Sequence, residues 1–233
     1  HKMFKELFLT NNISFKAISL DENGIVIDDL KKYDVNIAYV TPSHQFPTGA
    51  IMSISRRTEL LNWANENPDR YIVEDDYDSE FKYTGRPIPA LKANDINDKV
   101  IYLGSFSKSI SPAIRVSYLV LPKALLNIYQ RELPYFICPV PTLNQKILYR
   151  FIKDGYFVKH INKMRTLYKK KREFLVNTIK AYSSKILNKE IQIQGADAGL
   201  HMVIKLNQKI NEKLFLNECL ENSLKLYSLE EYN

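Results

Sequence analysis

Four short apolar runs constrain this chain most: Asn36–Thr41 (NIAYVT), Tyr71–Asp75 (YIVED), Val100–Gly104 (VIYLG) and Val116–Leu121 (VSYLVL). Each is too short for a buried helix and carries apolar residues at successive positions. That pattern suits strands covered on both faces, the habit of parallel sheets. Pro42, Asp75-Asp76, Gly104-Ser105 and Pro122 punctuate their ends. Helical or loop segments separate them, which predicts an α/β fold with parallel pairing.

The flanking segments complete the outline. Lys2–Thr10 reads as a short helix. Ile13–Leu20 alternates and predicts a strand running into the Asp21-Glu22-Asn23-Gly24 turn, and Ile25–Tyr33 a short segment leading to a loop. Ser53 or Ser55 caps a helix reaching about Asn67, with Leu60, Leu61 and Ala64 on its inner face and Pro68 at its end. From Lys123 the pattern turns helical: Ala124–Leu133, Leu143–Lys153 and Phe157–Tyr182. In the last, Leu167, Phe174, Leu175 and Ile179 form an apolar stripe opposite Lys and Arg. Ile191–Ile193 and Leu200–Leu206 read as strands around the turn 195–199, Asn211–Asn222 as a helix and Leu224–Leu229 as a final strand. The division expected is 1–122, 123–182 and 183–233.

Composition excludes several classes. With 45% hydrophobic and 25% charged residues in 233, the chain is no disordered or fibrous sequence. No uncharged apolar run approaches the roughly 18–20 residues that span a bilayer, and His1–Glu6 carries charge with no signal-peptide core behind it. Cys138 and Cys219 match neither a disulfide framework nor a metal spacing, so no metal and a reducing cytoplasm are expected. The net charge of +7 comes without a basic recognition module, and Lys169–Arg172 reads as a solvated face, so this chain is not expected to bind nucleic acid itself.

Three segments carry chemistry. Gly104–Ser109 (GSFSKS) follows a strand, gathers hydroxyls around Lys108, and precedes Arg115 by a short interval. Hydroxyls and an Arg at a strand's carboxyl end suit a phosphate, and a lysine among them can condense with an aldehyde; a plain polar loop has the same composition. Asp75, Asp76 and Tyr77 follow the second apolar run, where α/β sheets bind ligands. A buried Asp there needs a cationic partner, although a helix cap, an acidic turn or a Mg or Ca site within Glu74–Glu80 are other readings. Thr41–Gly49 (TPSHQFPTG) is a Pro- and Gly-fixed loop, either a ligand wall or a rigid turn.

In this order and spacing, TPSHQFPTGAIMSISRRTELLNWA (41–64), YIVEDDYDSEFKY (71–83), IPAL (88–91), VIYLGSFSKSISPAIRVSYLVLP (100–122) and GADAGLH (195–201) resemble the aminotransferase class I/II family, fold type I of the pyridoxal-phosphate enzymes. They are most similar to the aminotransferase-like domain of MocR-type regulators in the GntR superfamily. The resemblance implies part of the large mixed or parallel-sheet domain over 1–122, connecting helices over 123–182, and part of a smaller α+β domain over 183–233. It implies pyridoxal 5'-phosphate as cofactor. Lys108 is then the lysine forming the cofactor Schiff base, Asp75 the partner of the pyridine nitrogen, Tyr77 the partner of the phenolic oxygen, and Ser105 and Arg115 the phosphate holders, with Ser107 beside them. Phe46 before Pro47, and Tyr77 only two residues after Asp75, depart from ordinary aminotransferases and favour the regulator subfamily.

The resemblance further implies a homodimer and an amino-acid or other amine ligand that displaces Lys108 from the cofactor. DNA would be bound only through a winged-helix domain lying outside this chain. The family's glycine-rich cofactor loop, ring-stacking aromatic and carboxylate-binding arginine have no match here, so a central fragment is expected. A free-standing aminotransferase and a non-catalytic interaction fragment are the alternatives. Trp63 reads as core or half-buried interface, His160 as a solvated helix residue, His201 as core or supporting, and both cysteines as inert small hydrophobes.

Overall fold

The computed structural model describes residues 2–85, 88–183, 191–206 and 211–232. Helix α1 (Lys2–Thr10) precedes a hairpin of β1 (Leu20–Asp21) and β2 (Gly24–Ile25) and the single-turn helix α2 (Ile27–Leu30). Next come β3 (Ile37–Val40), α3 (Ile54–Asn65), β4 (Tyr71–Asp76), β5 (Val100–Ser105), α4 (Phe106–Ser109) and β6 (Ser117–Val120). The four strands form one sheet in the order β3-β4-β5-β6. The first three are parallel and β6 is antiparallel, with Asp75 opposite Leu103 and Ser105 opposite Ser117.

The core lies between α3 and this sheet. Leu60, Trp63 and Ala64 pack against Ala38, Val40, Ile72 and Val100, and all are nearly or fully buried. Ser53 caps α3 by accepting from the Arg56 amide at 3.3 Å. The Arg70 guanidinium covers the Trp63 ring at 4.8 Å. β4 departs from a purely apolar run because Glu74 is fully buried. It accepts from the Leu91 and Lys92 amides at 2.7 and 2.9 Å, capping the 3-10 turn Leu91–Asn94. Buried Arg57 lies 3.9 Å from it and donates to the carbonyls of Pro42, Met52 and Pro89, which fixes the loop after β3.

The second half is helical: α5 (Lys123–Glu132), α6 (Thr142–Lys153) and α7 (Tyr156–Tyr182). A small antiparallel pair, β7 (Gln192–Gln194) and β8 (Val203–Lys205), precedes α8 (Glu212–Glu221) and a 3-10 turn at Leu229–Tyr232. Among the described residues, no helix is long and apolar enough to cross a membrane.

Three expectations are corrected. Ile13–Ser19 is not a strand, since the ladder begins at Leu20 and its partner segment is only two residues long. Leu224–Ser228 forms no strand pairing among the described residues, and Leu229 starts a 3-10 turn headed by a Ser228 hydroxyl that accepts from the Glu230 amide. The apolar stripe of α7 is not core. Phe174 is 73% exposed, Leu167 and Leu175 are exposed, and only Ile161 of that helix is buried.

Candidate functional site

The carboxyl ends of β3, β4 and β5 converge on one edge of the sheet, where parallel sheets hold ligands. Asp75 stands at the end of β4, half-buried, and Oδ2 accepts the Tyr39 hydroxyl from β3. Burial raises the Asp75 carboxyl above its ordinary value, and the Tyr39 bond opposes that rise. Tyr77 donates to the His44 carbonyl at 2.7 Å. Burial first, then Asp78, Asp75 and Asp76, hold the Tyr77 phenol protonated.

Ser105 closes β5 and caps α4, its Oγ accepting from the Ser107 amide at 3.2 Å. Lys108 lies exposed on that single turn. The Phe106 amide donates to the Val116 carbonyl at 3.0 Å, which brings Arg115 beside the same turn. Arg115 has φ +49, a left-handed backbone rare for a bulky residue. Neither the Lys108 ammonium nor the Arg115 guanidinium makes an ion pair among the described residues. Thus Ser105, Ser107, Lys108 and Arg115 gather at one loop, and Asp75 with Tyr77 at the end of the neighbouring strand.

The loop Thr41–Gly49 docks onto a distant turn. His44, 1% exposed, places Nδ1 3.1 Å from Asp78 Oδ2 and Nε2 3.1 Å from the Gly195 carbonyl. Asp78 Oδ2 also accepts from the Leu200 amide at 3.1 Å. Gly199 has φ +66, and a Cβ there would collide with both His44 and Asp78. A Cβ on Gly195 would come within 2.7 Å of the Gly49 Cα. His201 closes the cluster, with its ring centroid 4.1 Å from that of His44 and 5.6 Å from that of Phe46. Burial first, then His44, pushes the His201 imidazole down to about 4, and the nearby Lys108 ammonium acts in the same direction.

Several of these residues gave no sequence signal. Tyr39 is hidden inside an apolar run, and only the β3–β4 register brings it beside Asp75. His44 and Asp78 are 34 residues apart in sequence, and His44 and Gly195 are 151 apart. His160 is corrected too. It is half-buried rather than a free surface residue, and its Nε2 lies 3.1 Å from the Ser109 carbonyl, tying α7 to the Lys108 turn. Cys138 is exposed and Cys219 is partly exposed.

Residues 10–229 match the family model of aminotransferase class I and II. The chain belongs to the aminotransferase class I and II family. Among curated relatives of this aminotransferase-family chain, the uncharacterized HTH-type transcriptional regulator YdeL of Bacillus subtilis is 39% identical over 96% of this chain and 47% of its own length. The probable rhizopine catabolism regulatory protein MocR of Rhizobium meliloti is 32% identical over 84% of this chain and 39% of its own. The multiple substrate aminotransferase of Thermococcus profundus superposes with a TM-score of 0.78 at 29% identity, over 91% of this chain and 54% of its own. The chain therefore has the fold type I aminotransferase architecture, and it spans about half the length of the curated relatives it matches.

The family's cofactor is pyridoxal phosphate, and the donor set fits it. A carboxylate with one oxygen still free of a side-chain partner suits a ring N–H. A phenol, a free amine, capping hydroxyls and an unpaired guanidinium suit the phenolic oxygen, the aldehyde and the phosphate.

Proposed function

We propose that this chain is the central part of the effector-sensing domain of a MocR-type transcription regulator. The reading rests above all on one observation: Lys108 stands on a turn between capping Ser105 and unpaired Arg115, one strand away from the Asp75 carboxylate. The two relatives at 39% and 32% identity, named as regulators, support it. In this reading residues 1–122 belong to the large domain, 123–182 connect, and 183–233 belong to the small domain.

When bound, pyridoxal phosphate supplies an aldehyde that condenses with amines and a ring that withdraws electrons. Asp75 would hold the ring N–H and, by its charge, keep that proton in place, a pairing that would favour the ionised carboxylate which burial disfavours. Tyr77, whose hydroxyl donates to the His44 carbonyl, would supply the donor for the phenolic oxygen. Ser105, Ser107 and Arg115 hold the phosphate. Lys108 provides the amine and moves a proton at its Nζ when an amino compound takes its place. That replacement is the signal, and DNA is contacted by a domain outside this chain. A homodimer is part of the proposal, supported by the 90%, 74% and 90% exposure of Tyr135, Phe136 and Ile137. The setting is the cytoplasm.

The test is visible absorption after adding pyridoxal phosphate. A yellow band is expected in the parent chain and not in Lys108→Ala; a band that survives the substitution overturns the assignment. The second reading, a working aminotransferase, is favoured by the aromatic-amino-acid aminotransferase 1 of Thermococcus litoralis, 29% identical over 88% of this chain. It predicts conversion of an amino acid to its 2-oxo acid, whereas the regulator reading predicts binding without turnover.

A further inference from the structure

His44, Asp78 and His201 meet at the Thr41–Gly49 loop, and their nitrogen and oxygen donor atoms all lie within 4.8 Å of one another. The bonding around them is incomplete in a specific way. His44 Nε2 faces the Gly195 carbonyl at 3.1 Å. A carbonyl only accepts, so Nε2 carries a proton. A neutral His44 then presents the Nδ1 lone pair to a carboxylate oxygen of Asp78 at 3.1 Å. Two lone pairs at that distance require a cation between them, either a proton or a metal ion.

The rest of the cluster separates the two. Asp78 is 2% exposed, yet its Oδ1 has no hydrogen-bond partner among the described residues, and neither does the buried Nε2 of His201. A proton shared by His44 and Asp78 leaves both atoms unsatisfied in a buried place, which is costly. A metal ion takes up His201 Nε2, and takes up Asp78 Oδ1 as well where the carboxylate binds through both oxygens. We propose that His44, Asp78 and His201 form a site for a divalent transition metal of the zinc class, clasping the 195–201 turn to the Thr41–Gly49 loop and the end of β4.

The donor chemistry agrees. Two imidazoles and a carboxylate suit Zn2+ or its neighbours rather than Mg2+ or Ca2+. With bonds of about 2.0–2.1 Å and near-tetrahedral angles, two donors on one zinc lie about 3.3 Å apart, close to the separation of His44 Nδ1 and Asp78 Oδ2. The surroundings have the outer contacts such ligands use. The Gly195 carbonyl orients His44, the Leu200 amide bonds Asp78 Oδ2, and the Pro47 carbonyl lies beside His201 as an acceptor for its ring proton. The site does not depend on the cofactor assignment. It would act by position, because the His44 carbonyl receives the Tyr77 hydroxyl and the Phe46 ring packs on His201.

The experiment uses the chelator-treated chain without pyridoxal phosphate, titrated with Co2+ by visible absorption and with Zn2+ by calorimetry. One equivalent is expected, with the intense visible bands of a low-coordinate Co2+ site. His201→Phe, which keeps ring volume without a ligand atom, and Asp78→Asn should each weaken uptake at least tenfold, while His160→Ala should not. Imidazole 15N spectra of the parent chain give a readout that needs no variant to fold: Zn2+ should shift Nδ1 of His44 and Nε2 of His201. Absence of stoichiometric uptake, uptake unchanged in folded His201→Phe, or unmoved His44 and His201 resonances would overturn the site.

Discussion

Tyr39 donates its hydroxyl to Oδ2 of Asp75 across neighbouring parallel strands, and this is the only side-chain hydrogen bond Asp75 makes among the described residues. The bond lowers a carboxyl that burial raises. Tyr39→Phe should therefore move Asp75 further toward its neutral form, which pairs poorly with a protonated ring nitrogen. A charge-assisted bond of about 1.5–3 kcal/mol is only partly lost here, so pyridoxal phosphate affinity should fall roughly 5–10-fold. Asp75→Asn should cost more, since no ionisable group remains. Titration followed by absorbance tests the order; equal affinity of Tyr39→Phe and the parent would show that the bond does not tune Asp75.

Ser105 and Arg115 are expected to recognise the phosphate and nothing else. Arg115→Gln should weaken pyridoxal phosphate by about 10–100-fold, the range of one or two charge-assisted bonds. Dephosphorylated pyridoxal should bind the variant and the parent alike. A loss shared by both compounds would place Arg115 in the fold rather than at the phosphate.

Glu80 sets a pH dependence of stability. Burial raises its carboxyl from 4.5 to about 7, with Asp76 and Asp78 adding to the rise and Arg165 opposing it. Between those values the folded chain keeps a proton that the unfolded chain releases. The unfolded state then binds fewer protons, so unfolding free energy falls as pH rises from 4.5 to about 7 and levels above. Allowing for partial solvent screening, the loss is on the order of 2 kcal/mol. Urea denaturation at pH 5 and pH 8 should show Glu80→Gln losing less than the parent across this window; parallel losses would dissociate Glu80 from the effect.

The strands that bear the site were legible from runs of consecutive apolar residues such as Val100–Leu103, although the cover is uneven: of β5 only Val100 and Gly104 are buried, and β6 is exposed along its length. The chemistry-bearing loop at Ser105–Ser109 was legible because it abuts such a strand. Tyr39, His44 and Asp78 were not, because their partners are set by strand register and by a turn 151 residues beyond His44. Ile13–Leu20 and Leu224–Leu229 misled for a related reason. An alternating or apolar segment becomes a strand only where another edge is available to complete its hydrogen bonds. The stripe on α7 shows that helical periodicity records which residues share a face, not whether that face is covered.

Gly199 and Gly155 form a matched pair that separates backbone strain from contact at the His44–Asp78 cluster. Both hold left-handed backbone, with φ +66 and +78. A Cβ on Gly155 meets nothing within 4 Å, whereas one on Gly199 collides with His44 Nδ1 and Asp78 Oδ2. Alanine at 155 should cost only the conformational strain, about 1 kcal/mol. Alanine at 199 adds displacement of the buried His44 and Asp78 side chains from each other, and a buried polar group left without its partner costs about 1–3 kcal/mol for each of the two. Gly199→Ala should therefore lose roughly 3–4 kcal/mol more than Gly155→Ala in chemical denaturation. It should also release the 195–201 turn, seen as faster amide exchange at Gly199, whose amide donates to the Phe81 carbonyl at 2.6 Å. If the two substitutions cost the same, the turn tolerates a methyl group and the cluster does not fix its position.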